Sequence, residues 1–218
     1  MNWFHRARLI VELAVLFIAA PLAVNWLVHG AKVPLFQVLV PVFVLFVVLL
    51  TLDREFSWAA TLRRGFSFRH GLQIVLTFAV LGSAIVWYAY RYEHGAFLAL
   101  PRRAPGLYAL ILIFYPLVSV VTQELVYRVF FFHRYRSALG GAPVITILMS
   151  AALFAFSHIL FPGWLPMALS FAGGLLFAWR YHQTGSVWAV VFEHSLYGNL
   201  IFTAGLGRYF FTGISNVG

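Results

Sequence analysis

Apolar residues run through this chain in long, nearly uninterrupted stretches, and the polar residues that break them collect at the junctions. A helix needs about 20 such residues to cross the hydrocarbon core of a bilayer. Seven stretches approach that length: Arg8 to Val28, Val33 to Leu52, Gly71 to Tyr92, Gly106 to Phe132, Pro143 to Phe161, Leu165 to Tyr181 and Ser186 to Gly205. The pattern predicts an all-α fold, a polytopic transmembrane bundle of about seven spans. Residues 1–218 are expected to form a single bundle, because the links are too short to hold a soluble domain. Gly140, Gly141 and Pro143 separate spans four and five, and Phe161 to Trp164 predicts a tight hairpin between spans five and six. Phe56 to Phe66, with aromatic and basic ends, predicts a short interfacial helix. Ser170, Gly174 and Ala178 recur every fourth position on span six, a spacing that lets helix backbones approach closely in lipid.

Composition agrees. Of the residues, 62% are hydrophobic and 10% charged, with a mean hydropathy of +0.89, whereas soluble domains carry roughly a quarter charged residues. The net charge of +9 would suggest nucleic acid in a soluble protein. Here the arginines lie between apolar runs, no DNA-binding motif is present, and no nucleic-acid partner is expected. They read instead as topology signals. Placing Arg6, Arg8, Arg54, Arg63, Arg64, Arg69, Arg134, Arg136 and Arg180 inside, and Lys32, Arg91, Arg102, Arg103 and Arg208 outside, gives the inner face the larger share. The expected setting is a prokaryotic cytoplasmic membrane with the N-terminus in the cytoplasm. A cleaved signal peptide is the alternative for the first run; its length favours a retained helix. The chain has no cysteine, which excludes disulfides, thiolate metal sites and a cysteine nucleophile.

Candidate chemistry comes from ionisable groups inside the spans, where they are costly and mark sites by default. Span four carries Gln123 and Glu124, followed by Tyr127 and Arg128. Gln123 and Tyr127 share one helix face, and Glu124 and Arg128 another. Span five carries Phe154 and His158, and span seven carries Glu193, His194, Tyr197 and Asn199. Taken singly, each is a buried ion pair or a satisfied core histidine. Taken together, three independent burials are less economical than one convergent polar site.

The run QELVYR resembles the E-E-x-x-x-R motif of the CPBP intramembrane proteases, the CAAX prenyl endopeptidase and bacteriocin-processing group also called Abi. Phe154 to His158 is similar to the family's F-x-x-x-H, and His194 to Asn199 resembles its terminal H-x-x-x-N. Order, separation and membrane setting agree over about residues 106–205. The resemblance implies hydrolysis of a peptide bond near the membrane surface, with Glu124, His158 and His194 as catalytic residues. Glu124 would take a proton from water that His158 orients. His194 and Asn199 would donate to the oxyanion, and Arg128 would anchor Glu124. Gln123 and Glu193 are supporting residues.

Two departures stand out. Gln123 occupies the place of the first glutamate, the one generally taken as catalytic, and an amide cannot act as a carboxylate base. Gly198 stands four residues after His194, with Asn199 one later, about 100° further round a helix unless a bulge re-aims it. A zinc ion held by Glu124, His158 and His194 is the minority alternative to a cofactor-free site. Two other classes stay open: a catalytically silent homologue that binds or scaffolds membrane proteins, and a transporter with a polar path to both faces. The expected partners are the lipid bilayer and a peptide or membrane-protein substrate, which the sequence does not identify.

Overall fold

The computed structural model describes residues 3–210, and every regular element among them is helical. Helix α1 covers residues 3–29 and widens into a π turn at Val15–Ala19. It is followed by α2 (Leu35–Leu52), the short α3 (Trp58–Arg63), α4 (Phe68–Tyr92) and the single turn α5 (Ala99–Arg103). Then come α6 (Pro105–Tyr135), α7 (Pro143–Leu160, its last turn 3-10), α8 (Leu165–Thr184) and α9 (Val187–Thr203). A 3-10 turn at Leu206–Phe210 closes the described chain.

Five helices, α1, α2, α4, α6 and α7, are long and apolar enough to cross a membrane. The sixth and seventh apolar runs also form helices, α8 of 20 residues and α9 of 17. Large apolar side chains such as Leu22, Val44, Val80 and Ile113 face outward. That outer surface suits hydrocarbon: the chain is an integral membrane protein.

Helix ends follow local chemistry. Pro105, Pro143 and Pro166 sit in first turns, where a missing N–H costs nothing. Ser57, Ser67 and Ser186 cap α3, α4 and α9 by accepting a backbone N–H. Between α8 and α9 the chain reverses at Gly185, whose φ of 60° is left-handed and needs a residue without a Cβ. The predicted interfacial segment contributes α3, which α9 holds through the Trp188 indole N–H donating to the Leu62 carbonyl.

The small-residue stripe of span six packs α8 against α7. Ser170, Gly174 and Ala178 are buried, and a Cβ on Gly174 would meet the Ala151 Cα at 3.0 Å and the Phe154 ring at 3.2 Å. Backbone atoms cannot yield as a side-chain tip can. Gly174→Leu is therefore expected to destabilise the protein by about 1–3 kcal/mol, the usual range for overpacking, read as a lower melting temperature in detergent.

Two arginines assigned to the inner face as topology signals have structural roles instead. Arg180 is buried, and its guanidinium donates to both Glu193 oxygens at 3.0 and 3.1 Å and to Gln73 at 3.3 Å. Arg134 donates to both Glu12 oxygens at 2.8 Å and approaches Asp53 at 3.5 Å. Tyr135 adds a hydrogen bond to Glu12, so the end of α6 is tied to α1 and α2. These charges answer carboxylates across the bundle, which the linear count of basic residues did not register.

Candidate active site

Span four supplies the centre of the site, and its backbone is irregular there. The helix widens to π geometry at Tyr115–Val120, returns to α for Val121–Glu124, and widens again at Leu125–Phe130. Such bulges shift the aim of side chains relative to a regular helix and recur at functional sites. Pro116 lies in the first bulge. Its lack of an N–H leaves the Leu112 carbonyl without its ordinary partner one turn on. Asn199, from α9, donates its amide Nδ2 to that carbonyl at 3.4 Å.

Consecutive residues on a helix point about 100° apart, so Gln123 and Glu124 face different surroundings. Glu124 is fully buried. Its Oε1 lies 2.7 Å from His194 Nδ1, and its Oε2 lies 3.2 Å from Arg128 Nε. An ionised carboxylate can only accept, so His194 carries its proton on Nδ1. With the proton on Nδ1, a neutral imidazole presents Nε2 as an acceptor. The Arg128 contact is close in distance but poorly aligned for a hydrogen bond. The guanidinium is held instead between aromatic faces, 4.8 Å from the Phe154 centroid and 5.8 Å from that of Phe177, a favourable setting for a desolvated cation.

Gln123 looks into a cavity of about 1010 Å³, which Tyr115, Tyr127, His158, His194 and Tyr197 also line amid mostly aliphatic and aromatic neighbours. The Gln123 amide donates to Ser119 Oγ at 2.8 Å, and its Oε1 makes no hydrogen bond to protein. His158, buried at the end of α7, places Nδ1 2.8 Å from the Phe154 carbonyl. A carbonyl accepts, so the proton is on Nδ1 and Nε2 keeps a free lone pair. The Phe154 ring joins the parts, with centroids 4.8 Å from His158, 5.7 Å from His194 and 5.3 Å from Tyr127. His194 also stacks on Phe177 at 4.5 Å.

The structure thus brings Glu124, Arg128 and His194 into direct contact and sets His158, His194 and Gln123 on one cavity. It sends two candidates elsewhere. Glu193 pairs with Arg180, on a different face of α9 from its neighbour His194. Asn199 lies outside the cavity lining and is spent on Leu112. Helix α9 is regular from Val187 to Thr203, with no bulge to re-aim it.

Glu124, His158 and His194 do not fit a metal site. Both Glu124 oxygens and both His194 ring nitrogens already face protein groups, His194 Nε2 lying 3.3 Å from the Tyr115 hydroxyl. Among the described residues, no group of three His, Cys, Asp or Glu side chains is arranged to hold a metal ion. Tyr115 was not among the sequence candidates, and Tyr197 was noted on span seven without a role. The one signal for them was tyrosine in an otherwise aliphatic run, which membrane helices also use as plain packing.

The arrangement defines an integral membrane protein with a polar site sunk in an apolar bundle. Residues 104–200, the stretch that carries every one of these motif side chains, match the family model Type II CAAX prenyl endopeptidase Rce1-like. That agrees with the resemblance read from the three motifs. No curated protein and no solved structure matches the chain.

Proposed function

We propose that this protein is an intramembrane peptidase that hydrolyses a peptide bond in a membrane-bound substrate, with His158 as the base. The observation that carries this reading is the free Nε2 lone pair of His158 on the cavity. Glu124, which the motif suggested as base, is fully buried against His194 and Arg128 and does not line the cavity. Water would give one proton to His158 Nε2 as its oxygen bonds to the carbonyl carbon. The same proton would then pass to the leaving amine as the C–N bond breaks. Gln123 Oε1, shielded beside the cavity and without a hydrogen-bond partner among the described residues, would turn toward the water, accept its second proton as a hydrogen bond and so aim the oxygen. The Tyr197 hydroxyl, likewise shielded and without a partner among the described residues, would turn to donate to the developing oxyanion. Glu124 and Arg128 are positioning residues that hold His194.

The mostly apolar cavity wall favours a substrate that carries a hydrocarbon group, and a prenylated C-terminal peptide is the first to test. An N-terminus on the cytoplasmic side of a prokaryotic membrane completes the proposal. The test is cleavage of prenylated and unmodified peptides by the purified protein in lipid nanodiscs, followed by mass spectrometry.

Gln123 itself favours a second reading, a non-hydrolytic relative that binds a peptide or lipidated segment in the same cavity. Gln123→Glu separates the two. Under the hydrolase reading the wild-type protein cleaves, and the variant changes a rate already present, upward by roughly tenfold as a second base enters. Under the binding reading the wild-type protein is inert on every peptide, and activity first appears in the variant.

A further inference from the structure

Gly198 and Tyr115 occupy one space. A Cβ built on Gly198 would lie 2.5 Å from the Tyr115 hydroxyl oxygen, so any side chain at this position of α9 would expel the tyrosine. The expelled ring would leave His194, one turn earlier on α9, whose Nε2 lies 3.3 Å from that hydroxyl. The tyrosine ring is also held edge-on to Phe202 at 5.2 Å, and it enters at the first residue of the π bulge that contains Pro116. Three features therefore converge on one hydrogen bond: the bulge that re-aims Tyr115, the glycine that admits it, and the aromatic wall that holds it.

We infer that Tyr115 is a positioning residue that engages the His194 Nε2 lone pair and so assigns different roles to the two imidazoles. His194 is bonded at both ends, by Glu124 at Nδ1 and by Tyr115 at Nε2. Glu124 fixes the proton on Nδ1, which makes Nε2 an acceptor and Tyr115 the donor. A nitrogen whose lone pair already accepts a hydrogen bond is a poor competitor for a proton from water. His158 has a carbonyl partner on Nδ1 and, among the described residues, no protein partner on Nε2. The chain Arg128, Glu124, His194, Tyr115 is then a fixed wall, and His158 is the imidazole whose Nε2 stays open to the cavity. This assignment rests on the hydrolase reading only for its effect on rate.

The test is nitrogen NMR of the full-length protein in nanodiscs, labelled with 15N at histidine, with His194 assigned by loss of its signals in His194→Gln. In the wild-type protein the His194 spectrum should show the Nδ1–H tautomer with a hydrogen-bonded Nε2. Tyr115→Phe keeps the ring and removes the hydroxyl, and it should shift the Nε2 resonance toward that of an unbonded imine nitrogen. Gly198→Ala should produce the same shift and a lower melting temperature. Adding Tyr115→Gly to Gly198→Ala should recover melting without restoring the resonance. In the cleavage assay Tyr115→Phe is expected to lower kcat on the order of tenfold with KM unchanged. An Nε2 resonance that stays at its wild-type position in Tyr115→Phe overturns the inference. If no peptide is cleaved by any variant while the resonance shifts as expected, the hydrolase reading fails and the Tyr115 assignment stands.

Discussion

His158→Ala is expected to lower the cleavage rate by roughly 10²- to 10⁴-fold, the span usual for losing a positioned general base, while the protein stays folded. The imidazole reaches the cavity from the last, 3-10 turn of α7, and among the described residues its polar contacts are local, to Phe154 and Ser157. Its removal enlarges a cavity already present and leaves no charge without a partner. Melting in detergent should therefore change little beside the change in rate. Imidazole added to the assay should restore part of the rate in His158→Ala, because a small base can enter the space the side chain leaves. A variant that still cleaves at the wild-type rate would remove His158 from the chemistry and return the role of base to another group on the cavity.

Arg128→Leu is expected to act in the opposite sense, on folding first. Arg128 and Glu124 are both fully buried, and removing one partner of a buried ion pair costs about 3–5 kcal/mol, because the other charge remains without compensation. Here the loss includes the guanidinium packed against Phe154 and Phe177. Unfolding in detergent, followed by tryptophan fluorescence or circular dichroism, should show the drop. Glu124→Leu combined with Arg128→Leu should cost less than Arg128→Leu alone, since apolar replacement of both members leaves no buried charge. Equal stability of Arg128→Leu and the wild-type protein would mean that Glu124 does not hold its charge in the folded state. That result would also remove the argument for a neutral His194.

These two outcomes separate roles that the motif alone ran together. Glu124 and Arg128 share a helix face, as their spacing requires, and Glu124 contacts both Arg128 and His194. Gln123, one residue earlier, faces the cavity that Glu124 does not reach. A carboxylate at position 123 would line the same cavity as His158, His194 and Tyr197, whereas the one at 124 contacts Arg128 and His194. The departure at Gln123 therefore bears directly on chemistry, and Gln123→Glu is informative for that reason. The departure at Asn199 has a different origin. Its amide answers a carbonyl that Pro116 cannot serve, and the position after one turn from His194 is left to glycine so that Tyr115 can enter.

The sequence by itself determined the solvent, the helices and the three polar segments, because each is a local property. Twenty apolar residues in a row demand lipid wherever they fold. Prolines and serines start helices, and Gly185 reverses the chain through the backbone alone. A charged residue in a span signals a site without any knowledge of its partner. The tertiary structure decided which charges meet. Arg180 looked like a loop residue marking the cytoplasmic face and is the partner of Glu193; Glu193 looked like a neighbour of the site and faces Arg180 instead; Tyr115 carried only the signal of a tyrosine in an aliphatic run and touches His194. Pairing across helices depends on rotation and depth, and two π bulges in α6 change both by amounts that no periodicity in the sequence records. In a membrane bundle the apolar effect places helices in lipid but does not choose their rotation. Close packing at Gly174 and Gly198, with the buried hydrogen bonds and ion pairs, makes that choice.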